Sequence, residues 1–277
     1  MPKAINILFI LIFLGVSVSS FSQENTYEAD SSMGIILRKE ISWGIIAHTA
    51  GWGVNYRTAR RITAFRKSSF EFEAVSMKSP KEIKTINPYF NNSKSYVFGK
   101  LNNIYILRAG YGMHKQINRK PLWGGVEVRY FYYGGLSLGL AKPVYLYILN
   151  FTSTYYEYTI STKKFDPEEH FLDNIYGRAS FTKGFGEMRI YPGIYLKGGF
   201  SFDFSSAHEK IRALETGFIL DLYPYPIPIM AFRNEYHYFV SLYLSYSFGK
   251  KYNRSLKEAK QIKKSLKERK KKKDENM

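Results

Sequence analysis

The chain contains no cysteine among its 277 residues. That excludes a disulfide framework, a thiolate metal site, a cysteine nucleophile and a lipid-bearing cysteine. Histidine is scarce as well: His48, His114, His170, His208 and His237 are the full set, and none stands in the His-Glu-x-x-His spacing of a zinc site. No stretch beyond the N-terminal segment has the about 20 apolar residues of a membrane-spanning helix. Acid is short relative to base, 23 Asp+Glu against 41 Lys+Arg, for a net charge of +18. The glycines near 108–112, 124–125, 134–139 and 198–199 do not form a phosphate-cradling loop between a strand and a helix; they suit bends or room for large neighbours. What is abundant is aromatic: 24 Tyr, 21 Phe and 3 Trp, within a hydrophobic fraction of 45% that is ample for a core.

The N-terminal segment reads as a secretory signal. Lys3 precedes the apolar run Ile7–Val16, and Ser20-Phe21-Ser22 places small residues at the −3 and −1 positions of a cleavage site. The expectation is an exported chain cleaved near Ser22.

Beyond residue 30 a period of two residues dominates. Trp52, Val54 and Tyr56 alternate with Gly53, Asn55 and Arg57; Phe70 and Phe72 alternate with Glu71 and Glu73. Tyr105, Leu107, Ala109 and Tyr111 share a face opposite Arg108, Gly110 and Gly112, and Val128, Tyr130 and Tyr132 oppose Glu127 and Arg129. Leu214, Phe218 and Leu220 oppose Glu215 and Asp221, Leu196 and Phe200 oppose Lys197, and Tyr238 to Phe248 alternates throughout. A soluble barrel or sandwich would bury the apolar face and solvate the charges. A membrane barrel turns the apolar face to lipid and keeps the charges inside. Segments of about 10–13 residues, aromatic crowding at strand ends such as Tyr130-Phe131-Tyr132-Tyr133, and charges of both signs on the opposite face favour the membrane barrel. A narrow lumen then pairs Arg57, Glu71, Glu73, Arg108, Glu127, Arg129 and Glu215 as an internal charge network.

Nine strands are readable, at 34–49, 52–62, 67–77, 103–115, 122–133, 136–149, 192–206, 210–222 and 236–248. Single-chain bacterial barrels have an even number, so eight or ten are expected, with 34–49 divisible into two strands or a further strand at 153–161. Two long connections, 78–102 and 150–190, are separated by three strands in this reading, which places them on opposite membrane faces. The last strand ends aromatic-x-aromatic, Tyr246-Ser247-Phe248, in the manner of the terminal signal read by barrel-assembly machinery, with 29 residues following it.

Candidate sites are few. Asp166, Glu168, Glu169 and His170, with Asp173 nearby, form a cluster of hard donors suited to Ca²⁺ or Mg²⁺, without the spacing of an EF-hand loop; a solvated acidic loop is the favoured explanation. His208 beside Glu209, with Ser205 and Ser206, is the material of a hydrolase or acyltransferase acting on lipid, but sequence proximity does not make a triad. No catalytic residue and no cofactor are assigned. Residues 250–277 carry thirteen Lys/Arg and four Asp/Glu, net +9, with Leu256, Ala259, Ile262 and Leu266 at helical spacing. This predicts a short basic amphipathic helix. Export argues against nucleic acid as its target; if the last strand ends at the periplasmic side, the tail either meets an anionic partner there (lipid headgroups, cell-wall polymer or an acidic protein) or is a solvated tail with no partner.

Several blocks resemble an uncharacterised family of outer-membrane β-barrel proteins of Bacteroidetes-type bacteria. They are Gly51-Trp52-Gly53-Val54-Asn55-Tyr56-Arg57, Phe98-Gly99-Lys100-Leu101-Asn102-Asn103, Leu107-Arg108-Ala109-Gly110, Trp123-Gly124-Gly125-Val126, the run 137–146, Leu172-Asp173-Asn174-Ile175-Tyr176-Gly177-Arg178 and Phe248-Gly249-Lys250. The resemblance implies a barrel in the outer membrane and brings no catalytic residues. The expectation is therefore an all-β chain: a signal peptide at 1–22, a transmembrane antiparallel β-barrel of 8–10 strands at 23–249, and the basic helical tail at 250–277. Its role is structural, binding or narrow solute passage, without catalysis. A hydrolase or acyltransferase acting on outer-membrane lipid, or an envelope assembly or secretion partner working through the tail, are the alternatives. Expected partners are outer-membrane lipid, the barrel-assembly machinery through Tyr246 and Phe248, and the anionic partner of the tail.

Overall fold

A computed structural model describes residues 39–63, 65–90, 93–118, 125–151, 158–205, 210–232 and 236–252. The expected signal peptide, the tail from 253 onward, and Ser206, His208 and Glu209 lie outside the described residues.

Eight antiparallel strands close into a barrel. They are β1 (Lys39–His48), β2 (Gly51–Arg61), β3 (Arg66–Met77), β6 (Asn102–Asn118), β7 (Glu127–Pro143), β11 (Arg189–Asp203), β12 (Lys210–Ile227) and β13 (Tyr236–Tyr252), in the spatial order β1-β13-β12-β11-β7-β6-β3-β2. Each chain neighbour in the barrel is a spatial neighbour, and β1 pairs with β13 from Lys39↔Tyr252 to His48↔Tyr243 to close the ring. A tilted strand rises about 2.5 Å per residue along the barrel axis. The ten residues of β1 therefore span about 25 Å, the height of a membrane barrel's apolar band.

The two-residue period sorts the side chains as a membrane barrel requires. Leu136, Leu138, Ile194, Leu196, Phe218, Val240 and Leu242 point outward, with Leu136 and Leu242 68% and 64% exposed. Aromatic pairs ring the end that carries the described termini: Trp43 against Tyr56 with centroids 4.6 Å apart, and Phe70 against Tyr111 at 5.0 Å. Trp52, Tyr225 and Tyr238 are exposed toward the other end. All seven carboxylates of the barrel strands, Glu40, Glu71, Glu73, Glu127, Asp203, Glu215 and Asp221, lie on the inward face. A soluble barrel would reverse both placements.

The strand count differs from the sequence reading at one place. The segments 122–133 and 136–149 are not two strands: β7 runs unbroken through Gly134 and Gly135, which pair with Leu196 and Tyr195 on one side and with Tyr111 and Gly110 on the other. Two glycines in an extended strand change neither its direction nor its parity, so Glu127, Arg129, Phe131, Tyr133 and Ser137 all face inward. Eight is the resulting number. Two strands, not three, now separate the long connections 78–101 and 144–188, so both lie at the same end, corrected from opposite faces. Thr49–Ala50 and 228–235 join strands at that loop end, and 62–65, 119–126 and 204–209 join them at the terminal end.

The long connections build a cap. Strands β8 (Tyr145–Phe151), β9 (Tyr158–Lys164) and β10 (Ile175–Arg178) form a sheet in the order β10-β8-β9, while β4 (Lys84–Thr85) pairs with β5 (Tyr96–Val97). The segment expected at 153–161 thus supplies, in its described part, a cap strand and not a barrel stave. Tyr96, Leu146, Ile148, Phe165 and Ile175 make a separate apolar core beneath this sheet. The Asn87 side-chain amide donates to the Ile175 carbonyl at 2.7 Å, joining the two connections.

Candidate functional site in the barrel lumen

The inward positions of five strands converge on a set of buried charges. Arg57 of β2 forks two carboxylates: its guanidinium donates to both oxygens of Glu215 at 2.5 and 2.7 Å and to Glu71 at 2.8 Å. Lys197 of β11 reaches across to Glu71 at 2.6 Å and also bonds Glu73. Arg108 of β6 holds Asp221 bidentately at 2.8 and 2.7 Å and touches Glu73 at 3.1 Å. Ser137 donates to Asp221 at 3.1 Å and meets the Tyr223 hydroxyl at 2.7 Å. Arg108 and Lys197 are each 2% exposed and Glu71 is fully buried. Isolated charges so placed would cost several kcal/mol each, on the order given by desolvation; the bidentate geometry and shared carboxylates offset that cost.

Aromatic rings fill the space between the ions. The Arg57 guanidinium carbon lies 5.4 Å from the Tyr133 ring centroid, and Lys197 Nζ lies 4.7 Å from that of Tyr243. Inward glycines make this possible. A Cβ on Gly110 would stand 2.3 Å from the Tyr195 hydroxyl, and one on Gly112 2.3 Å from the Tyr133 ring. The Tyr133 hydroxyl meets Ser69 at 2.5 Å and His114 at 2.6 Å.

Two further layers flank the network. Toward the terminal end, Lys67 pairs with Glu40 at 2.7 Å, Arg129 with Glu127 at 2.6 Å and Lys251 with Asp203 at 3.3 Å, around a recess with room for about one water. Toward the loop end the lumen turns apolar: Val75, Met77, Ile104, Ile106, Ala141, Tyr223 and Ile227 pack together, with Ile229 and Phe239 at the edge.

Of the charges singled out from sequence, Arg57, Glu71, Glu73, Arg108 and Glu215 meet in the central network, whereas Glu127 and Arg129 pair with each other nearer the terminal end. Glu40, Lys67, Ser69, His114, Tyr133 and Asp203 were not among them. Counting by twos from Glu71 finds Lys67 and Ser69, and the same count predicts the switch to Val75 and Met77. The proposed metal donors are not brought together. Asp166, Glu168, Glu169 and Asp173 are exposed, and among the described residues no three His, Asp or Glu side chains are grouped to hold a cation. Asp166 instead accepts from the Glu168 amide, and buried His170 accepts from the Asp166 amide at 2.9 Å. Burial lowers the His170 pKa below its ordinary value. Burial likewise lowers that of Lys100, which is paired with Glu82 at 2.7 Å in the cap.

An eight-stranded barrel with an apolar outside and an ion-paired inside has the construction of a small membrane-spanning β-barrel. Among solved structures the chain is similar to Ail, the attachment invasion locus protein of Yersinia pestis, at 9% identity over 77% of this chain and 97% of that one, with a TM-score of 0.39. A second Ail structure, in complex with the heparin analogue sucrose octasulfate, gives 9% identity, the same coverage and 0.38. Neisserial surface protein A gives 8% identity over 77% of this chain and 96% of that one, at 0.37. No protein-family model matches the chain. No curated protein matches it in sequence.

Proposed function

We propose that the protein is an outer-membrane β-barrel with a closed lumen, acting as a structural or binding element through its two ends and not as a pore or an enzyme. The observation that supports this reading is the double closure: a layer of mutually paired ions backed by a dry apolar layer across the same lumen. Short turns at the terminal end and long connections at the other fit a periplasmic and an external face respectively. Export by a signal peptide cleaved near Ser22, and kinship with the barrel family of Bacteroidetes-type bacteria, belong to the same proposal. Tyr246 and Phe248 point outward near the terminal end of the closing strand, a position suited to an assembly signal. The basic tail leaves Tyr252 at that end, where an anionic periplasmic partner would meet it. Catalysis finds little support: within the described residues His114 reaches Ser69 only through Tyr133, in the sealed interior.

The test is electrophoresis of the membrane fraction with and without boiling, followed by single-channel recording of the reconstituted protein. A heat-modifiable band without conductance steps is expected. A protein that stays out of the membrane fraction removes the membrane reading, and well-resolved channels remove the closed lumen.

A further inference from the structure

We propose that the outside of the barrel's terminal end is a collar that binds anionic phospholipid headgroups, an inference that rests on the membrane-spanning reading. The acids of this barrel are confined to its inside, whereas bases occur on both faces. Every carboxylate of its strands faces the lumen, while the outward face near the terminal end carries Lys39, Arg60, Arg66, Lys115, Lys210, Arg212 and Lys250. These seven sit on six consecutive staves, β12-β13-β1-β2-β3-β6, and none forms an ion pair among the described residues.

Their register is the second observation. Lys39 lies directly opposite Arg60, Arg66 opposite Lys115, and Lys210 opposite Lys250. Side chains directly opposed on one face of a sheet have Cβ atoms about 5 Å apart, and like charges there are destabilising. Three such pairs on one rim call for anions between them. A rim serving solubility alone would mix its signs.

Depth and direction select the partner. Lys39, Arg60, Arg66, Lys115 and Lys250 lie one or two side chains beyond Trp43, Tyr56, Phe70, Tyr111 and Phe248 on their own strands, about 5–10 Å past the aromatic girdle; on β12 Arg212 stands directly opposite Phe248 and Lys210 lies one side chain further out. That is the level of lipid phosphates, and the side chains project sideways into the leaflet. A soluble polymer arriving along the axis would instead meet a mouth whose charges are paired, as in Glu127–Arg129 and Asp203–Lys251. The chemistry is therefore that of phosphodiester headgroups with net negative charge, held by pairs of cations around three quarters of the wall.

The experiment uses the full chain folded in phosphatidylcholine vesicles doped with spin-labelled phosphatidylglycerol or phosphatidylcholine. Electron paramagnetic resonance then reports the lipids held against the barrel wall. The wild type should prefer the anionic label about fivefold, the value given by about 1 kcal/mol per surface cation, and lose this preference as salt is raised. Replacing Arg60, Arg66, Lys115, Lys210, Arg212 and Lys250 by Gln should abolish most of it, while Lys78→Gln, Lys81→Gln and Lys84→Gln in the cap should not. If the sixfold variant fails to fold, the two threefold halves are measured separately. A heat-modifiable protein with equal affinity for both labels, or a collar variant that keeps the full preference, overturns the collar and leaves the barrel standing. Absence of any heat-modifiable form in vesicles overturns the membrane reading and the collar with it.

Discussion

Arg57→Met tests whether the lumen charges hold the barrel. The wild-type guanidinium donates to Glu71 and to both oxygens of Glu215. After the substitution Glu71 keeps Lys197 at 2.6 Å, but Glu215 loses both of its charge-assisted bonds. Removing one partner of a buried pair costs about 3–5 kcal/mol. The ceiling is the free energy of protonating a carboxylate at pH 7.5, about 4 kcal/mol, because a stranded Glu215 escapes its isolation by taking up a proton. The expected loss is therefore about 3–4 kcal/mol. Arg57→Met combined with Glu215→Met removes the stranded charge and fills its space, and should return to within about 2 kcal/mol of the wild type. The assay is urea unfolding of the vesicle-bound protein, with the folded fraction read by heat-modifiable migration, arranged as a double-mutant cycle. A single mutant within about 0.5 kcal/mol of the wild type would refute the reasoning, since ions screened by bath water are worth that little. So would a double mutant as unstable as the single one.

Four other perturbations separate the remaining forces. Leu242→Arg, in the outward apolar belt, should cost about 2–4 kcal/mol in vesicles without weakening the lumen pairs; a neutral result would remove the lipid contact. Gly112→Leu would press a Cβ to 2.3 Å from the Tyr133 ring and 2.4 Å from the Tyr132 carbonyl oxygen, and should cost at least about 1–3 kcal/mol. Gly186→Ala, with nothing within 4 Å, should be silent in the same unfolding assay. The cap should be acid-sensitive through His170. Its neutral ring accepts from the Asp166 amide, and its pKa is lowered by burial, so an opened cap binds more protons below about pH 6.5. Proteolysis of the 144–188 connection should accordingly speed up as pH falls through that value, and His170→Gln should flatten the profile; an unchanged profile in the variant assigns the effect elsewhere.

Alternation made the wall legible from sequence. Phe70-Glu71-Phe72-Glu73 states which side chains meet lipid and which meet one another, because strand parity is set by the pleat and not by distant contacts. Gly134-Gly135 misled because glycine usually punctuates; here the two residues preserve parity through a single strand, and a parity check across them would have given eight. The partners of each charge were not legible. Arg57 meets Glu215, 158 positions further along the chain, a pairing decided by the register of non-neighbouring strands, which alternation does not encode. The cap sheet was missed for a related reason: Tyr145–Phe151 has the periodicity of a barrel stave and differs only in having a core of its own. The outward cations were visible individually, but their opposition became visible only with the strand register.

The stacking of an ionic layer and an oily layer in one tube means that its two bolts answer to different keys. Acid discharges carboxylates and so weakens attraction between charges, leaving hydrocarbon packing largely as it was. Cooling relaxes hydrophobic association and leaves ion pairs in place. An envelope exposed by turns to acid and cold would find such a tube shut in either case, since neither stress draws both bolts.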